Sequence, residues 1–117
     1  MNWGNMPQTK FPKTIKIGSK KYKLVFVEEV LFDDENLKKV NEAVVGFCDT
    51  TNSNIYISSQ IADPFELHST VFHECIHGIS DYAGIDLTEN QVIALSHAIL
   101  DMFLTNKELT KKLLTIN

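Results

Sequence analysis

The residues best suited to metal binding or catalysis are two histidines and a glutamate in the segment H-E-C-I-H at 73–77. Residues four apart share one face of a helix, so His73 and His77 can bind a single metal ion. Zinc accepts imidazole nitrogens at about 2.0–2.1 Å, a geometry that two histidines one turn apart can satisfy. Glu74 is displaced around the helix axis and can act as a general base toward a water molecule. The motif therefore predicts a Zn²⁺ cofactor and metal-assisted hydrolysis.

A catalytic zinc site normally has a third protein ligand, and several side chains downstream of the motif compete for that role. Glu89 is the preferred candidate, because it opens a second predicted helix in register with the apolar residue Val92. A carboxylate at the start of an apolar stripe needs a partner, which a metal ion provides. The alternative for Glu89 is an acid stabilised by the helix dipole. The other possible ligands are Asp81, Asp86 and His97.

The remaining histidine and the two cysteines have structural interpretations. Cys48, in a predicted strand, and Cys75, on the apolar side of the motif helix, are expected to be small buried hydrophobic residues. Two cysteines are also too few for a disulfide framework. His68 lies five residues before His73 and off its helix face, so we expect it on the surface or in a wall of the cleft.

The motif lies well inside a predicted helix that has clear start and stop signals. Asp63 can cap the helix, Pro64 suits the first helical position, and Glu66 stands three residues after the cap. The helix is expected to end near Ala83, because Gly84 can adopt the left-handed conformation that terminates a helix.

A second helix is predicted after a short loop, with Asp86 or Thr88 as its cap and an end near Leu104. Residues 107–116 form a predicted amphipathic tail helix. The apolar positions of the second helix predict a broad buried face, made of Val92, Ile93, Leu95, Ile99, Leu100, Phe103 and Leu104.

The N-terminal half of the chain has the alternating pattern of β-strands. Residues 14–17 and 21–27 flank a glycine-serine turn signal, and residues 44–48 and 54–57 flank a cluster of turn formers, which predicts two hairpins. Strands followed by helices indicate an α+β fold, with a small antiparallel-rich sheet packed on the two main helices.

Two further segments of this half carry weaker signals. Residues 1–12 show no periodicity and are expected to be a loose lead-in. Asp33 or Asp34 can cap a short helix whose apolar stripe is Leu37, Val40 and Val44.

Length and composition limit the class of protein. A chain of 117 residues with 44% hydrophobic residues and a net charge of −4 is expected to form one domain, 1–117. The acidic balance argues against a nucleic-acid partner. The lysines between Lys10 and Lys23 alternate with apolar residues and are interpreted as the solvent face of a strand pair. The N-terminus lacks a signal-peptide pattern, and polar residues interrupt the longest apolar stretch, so we expect a cytoplasmic protein with no membrane partner.

The hairpin at 46–57, the residues His73, Glu74 and His77, and a following helix opened by Glu89 resemble a known family. They are similar to the small zincin-like metallopeptidases of phages and mobile elements, related to the ImmA/IrrE group. The resemblance implies a minimal zincin-like domain, an intracellular zinc endopeptidase with a protein or peptide substrate, and Glu89 as the downstream glutamate ligand. It also implies that residues 54–58 form the edge strand beside the cleft.

Such an edge strand would bind an extended peptide by main-chain hydrogen bonds, with Asn54, Ile55 and Tyr56 as the substrate-binding residues. Two other functions stay open. The first is a non-catalytic, metal-containing phage or prophage regulator that binds a host protein or peptide in the same cleft. The second is a metal-free structural domain in which the histidines coincide by chance.

Overall fold

The computed structural model describes residues 11–28, 30–31 and 43–116. The predicted helix capped by Asp33 or Asp34 lies outside these residues, as does most of the predicted lead-in at 1–12. Of the apolar stripe of that helix, Val44 alone falls in the described part, where it belongs to a strand.

Strands occupy the N-terminal half of the described chain. They are β1 (Thr14–Ile17), β2 (Lys20–Val27), β3 (Val30–Leu31), β4 (Ala43–Val44), β5 (Gly46–Asp49) and β6 (Asn54–Ser58). Both predicted hairpins are confirmed, because β1 pairs with β2 and β5 pairs with β6, each in antiparallel fashion. Gly18 turns the first hairpin at a φ of 60°, a conformation that glycine adopts without strain. Strands β3 and β4 form a separate antiparallel pair.

The main sheet has four strands in the order β1-β2-β6-β5. Strands β2 and β6 are parallel, with Leu24 opposite Ile55, so the sheet is mixed rather than antiparallel throughout. The prediction that β6 is an edge strand is wrong: β6 lies between β2 and β5, and β5 forms the edge among the described strands. Ile55 and Ile57 are fully buried, as expected for an interior strand.

Three helices follow in the described chain: α1 (Pro64–Ala83), α2 (Glu89–Thr105) and α3 (Lys107–Leu113). The predicted limits of α1 are confirmed, since the Asp63 side chain accepts a hydrogen bond from the Glu66 N–H and Gly84 is left-handed at a φ of 70°. Thr88 caps α2 in a reciprocal capping box with Gln91. Helix α3 ends three residues before the predicted limit. No helix in the described ranges is long and apolar enough to cross a membrane.

The core forms where α1 packs against one face of the sheet. Its buried side chains are Ile17, Tyr22, Leu24, Cys48, Ile55, Ile57, Leu67 and Val71. Complete burial of an aliphatic side chain of this kind stabilises a fold by about 1.5–3 kcal/mol. Gly78 allows α1 to lie close to β1, because a Cβ at that position would lie 2.7 Å from Ile17 Cδ1.

Helix α2 is attached to this core along a narrow stripe. Among its described side chains, Val92 and Ser96 are buried, one turn apart. The prediction of a broad buried face is wrong, because Ile93, Leu95 and Leu104 are each more than 40% exposed. Helix α2 carries more apolar side chains than its contact with α1 covers. The spacing of these residues in the sequence therefore predicts a wider buried stripe than the structure has.

Candidate metal centre

His73 and His77 project from one face of α1, one turn apart, with their ring centroids 4.9 Å from each other. The ring of His73 is 18% exposed and that of His77 is 30% exposed. Together with Glu74 they form a group whose potential ligand atoms all lie within 4.8 Å of one another. The cluster of these three side chains could hold a metal ion.

Glu89, the first residue of α2, places its carboxylate between the two imidazoles. Its Oε1 lies 2.6 Å from His73 Nε2, and its Oε2 lies 3.1 Å from His77 Nε2. The left-handed Gly84 and the Thr88 cap define the short loop that turns α2 back along α1. The structure thus brings the preferred third ligand candidate to both histidines.

This donor set fits a divalent cation such as zinc. In a tetrahedral zinc site with bonds of about 2.0–2.1 Å, neighbouring donor atoms lie about 3.3–3.4 Å apart. The two contacts of the Glu89 carboxylate, at 2.6 Å and 3.1 Å, are shorter than that separation, the first by about 0.7 Å and the second by about 0.2 Å. A small outward shift of the 61% exposed Glu89 side chain would bring its oxygens to this separation.

Glu74 is almost completely buried, with 7% of its side chain exposed. Its Oε2 is 4.0 Å from His73 Nε2. Burial, and then the charge of Glu89, raise the pKa of Glu74 to about 8, although a hydrogen bond from the Cys48 backbone N–H acts in the opposite direction. This environment is typical of a carboxyl group that exchanges a proton near neutral pH.

Strand β5 provides the space that Glu74 occupies. A Cβ at Gly46 would lie 2.9 Å from Glu74 Oε2 and 3.2 Å from Thr70 Cγ2. The glycine and the Cys48 N–H therefore position the carboxyl group from the sheet side. Sequence reasoning missed both contributions, because neither glycine nor a backbone amide belongs to a ligand motif.

The imidazole of His73 is suited to metal binding in a second respect. Burial lowers the pKa of His73, while the Glu89 charge opposes this effect and the neighbouring His77 adds to it. A lowered pKa keeps the ring neutral, and neutral imidazole is the form that binds metals.

The His-Glu-His cluster opens into a cleft of about 800 Å³. Three elements line it: α1 through Ser69, Thr70, His73, Glu74 and His77, α2 through Glu89, Ile93 and His97, and the β5 region through residues 45–48 and Thr50. Asn54, Ile55 and Tyr56 do not line the cleft, and Ile55 is fully buried in the core. The prediction that these three residues form the edge strand beside the cleft is therefore wrong, and β5 is the edge strand that lines the cleft among the described strands.

The other candidate ligands are not members of the His-Glu-His cluster. Asp81 makes an ion pair with Lys20 at 3.7 Å, on the side of α1 that faces the first hairpin. Asp86 is exposed in the loop before α2. His97 lines the cleft but is not part of the His-Glu-His cluster. His68 is exposed, does not line the cleft, and has its Nδ1 2.8 Å from the Pro64 carbonyl oxygen.

Both cysteines pack in or against the core, as expected for small apolar residues. Cys48 is buried in the core, and Cys75 is partly buried against it. Burial raises the pKa of Cys48 to about 12 and that of Cys75 to about 11, with the nearby Glu74 as the second cause in each case. Such thiols are protonated at neutral pH and are poor nucleophiles.

The fold and the cluster together define a small α+β protein with a potential metal site on the first of its described helices. No family model, curated protein or solved structure matches the chain. The chemistry of the site therefore depends on its own donor atoms, their distances and their burial.

Proposed function

We propose that this protein is a zinc-dependent metallopeptidase in which His73, His77 and Glu89 hold the ion and Glu74 is the general base. The observation that carries the proposal is the placement of Glu89 against both imidazoles, with the buried Glu74 carboxyl group 4.0 Å from His73 Nε2. Two imidazoles and one carboxylate are a ligand set used by catalytic zinc sites, which keep a fourth position open. The resemblance to small zincin-like metallopeptidases supports the same function.

Each of these residues has its own role in the proposed hydrolysis. A zinc ion bound here would polarise the scissile carbonyl and lower the pKa of water. Glu74 would accept the proton of the attacking water and pass it to the leaving amine. An opposite charge nearby lowers a carboxyl pKa, so Glu74 would be ionised at neutral pH in the loaded enzyme. The Cys48 N–H and Gly46 keep its carboxylate facing the cleft.

The geometry of β5 suits a peptide substrate. In the described sheet, β5 has a partner strand on one side only, and the same strand lines the cleft. An extended peptide could lie along this edge, with its scissile bond beside the His-Glu-His cluster. We propose this edge in place of residues 54–58.

The test of the function is Glu74→Gln, measured beside the wild type and the exposed control Glu108→Gln. All three proteins are loaded with zinc, their metal content is measured, and a proteome-derived peptide mixture is analysed by mass spectrometry for new termini. We expect equal zinc content in all three, and a loss of at least about 10²-fold in cleavage rate for Glu74→Gln alone.

Two results would contradict the proposal. One is cleavage by Glu74→Gln at the wild-type rate. The other is a zinc-loaded wild type that cleaves nothing while wild type and Glu74→Gln retain the same peptides equally well. The second result would favour the alternative function, a metal-containing phage or prophage regulator that binds a host protein or peptide in the cleft.

A further inference from the structure

One face of α2 lines the cleft over more than two helical turns. Glu89, Ile93 and His97 follow one another at intervals of four residues, and all three border the cavity. Eight residues of helix span about 12 Å, so the backbone of His97 lies about 12 Å along α2 from that of Glu89. The cleft thus extends along α2 well beyond the metal cluster.

His97 is exposed to the cleft and has no internal role that would explain its position. Its ring makes no hydrogen bond or ion pair with any residue in the described ranges. A polar side chain that borders a cleft without a partner of its own is available to a ligand.

The polarity of the cleft indicates which ligand group suits His97. Glu74 and Glu89 place two carboxylates at the metal end. No lysine or arginine lines the cleft in the part of the chain that the structure describes. Outside the two metal-binding imidazoles, His97 is therefore the one described lining side chain that can carry positive charge. Imidazole N–H groups donate to carboxylates, and protonation strengthens the interaction.

We propose that His97 is a specificity-determining residue that receives a carboxylate of the peptide substrate, on a residue about three to four positions from the scissile bond. The interval follows from the helix span of about 12 Å and a rise of about 3.3 Å per residue in an extended peptide. The inference rests on the proposed function for its scissile bond, but the recognition step requires binding alone.

The test uses peptides whose register is fixed at the metal. Two series of capped peptide hydroxamates extend from the metal-binding group in either chain direction, and each position from one to five carries Glu or Gln in turn. Their dissociation constants are measured at one fixed pH on zinc-loaded wild type, His97→Gln and His97→Lys. His68→Gln is the matched control, because His68 lies outside the cleft.

We expect one series to show tighter binding of Glu over Gln, by about threefold to fivefold, at the third or fourth position. His97→Gln should abolish this preference without changing zinc affinity, whereas His97→Lys and His68→Gln should retain it. Equal binding of Glu and Gln peptides by the wild type, a preference that survives in His97→Gln, or no hydroxamate binding at all would overturn the inference.

The outcomes for the two proposals are distinguishable. If the hydroxamates show the His97-dependent preference but the zinc-loaded wild type hydrolyses no peptide, the proposed peptidase activity fails while the recognition role stands. If peptides are cleaved with no dependence on an acidic residue or on His97, the peptidase stands and the recognition role fails.

Discussion

The environment of Glu74 differs strongly from water. Its pKa rises from 4.5 to about 8, chiefly because it is buried. In the metal-free protein, the folded chain therefore keeps a proton on Glu74 between these two values, while the unfolded chain loses it. The contribution of the neutral carboxyl group to the free energy of unfolding is present in full below about pH 4.5. It decreases as the pH rises above this value and is lost as the pH passes about 8.

We predict that Glu74→Gln removes this pH dependence in the presence of a chelator. The free energy of unfolding of the variant, relative to that of wild type, should be higher at pH 8.5 than at pH 5 by on the order of 3–5 kcal/mol. The reason is that the wild-type carboxyl group ionises in a buried site over this range, whereas the amide carries no charge to desolvate. Urea denaturation at both pH values measures the difference, with Glu108→Gln as the exposed control. If the free energies of unfolding of wild type and Glu74→Gln differ by the same amount at both pH values, the buried, neutral state of Glu74 is contradicted.

The sequence was most informative about residues whose spacing follows the helical period. The interval of four placed His73 and His77 on one face, and the register of α2 pointed Glu89 inward; the structure brings the three together. Gly46 and the Cys48 N–H, which position Glu74, could not be found in this way. They act through the docking of β5 on α1, a tertiary contact that leaves no local pattern.

At the scale of elements, the start of α2 connects folding to the site. Thr88 caps this helix through the Gln91 N–H, and the next residue is Glu89. We predict that Thr88→Ala destabilises the protein by about 1 kcal/mol and weakens zinc binding, because the first turn that orients the Glu89 carboxylate would fray. Thr88→Ser retains the hydroxyl and should behave as wild type. Chemical denaturation and competition with a zinc-binding dye measure the two effects.

Two outcomes would contradict this connection. One is Thr88→Ala with wild-type zinc affinity despite the expected loss of stability, which would mean that Glu89 is oriented independently of the cap. The other is equal loss in Thr88→Ser and Thr88→Ala, because the hydroxyl would then have no role.

Helix limits were predictable because capping signals are local, as Asp63, Pro64 and Gly84 show for α1. The order of the strands was not. The alternation in β2 and β6 identifies two strands, but their parallel pairing depends on how the intervening chain crosses between them. Because β2 pairs with β6, β5 is the edge strand among the described strands, and the strand that was predicted to bind substrate is an interior one.

At the scale of the whole molecule, the contacts of Glu89 with His73 and His77 connect two helices whose buried contact is otherwise narrow. Helix α1 is anchored in the core, whereas the buried attachment of α2 within the described chain consists of Val92 and Ser96. A cation held by His73, His77 and Glu89 would tie the start of α2 to the middle of α1. Ligand binding to the folded state alone stabilises a protein, so metal content and stability should change together.

Zinc stoichiometry is the most direct measurement of the central claim. Wild type, Glu89→Ala, Asp81→Ala and His97→Ala are dialysed against one buffered free-zinc concentration, and bound zinc is measured by elemental analysis. We predict about one equivalent for wild type, Asp81→Ala and His97→Ala, and a large loss for Glu89→Ala, because Glu89 is the carboxylate that reaches both imidazoles. Full zinc content in Glu89→Ala, with loss in His97→Ala or Asp81→Ala, would contradict the account.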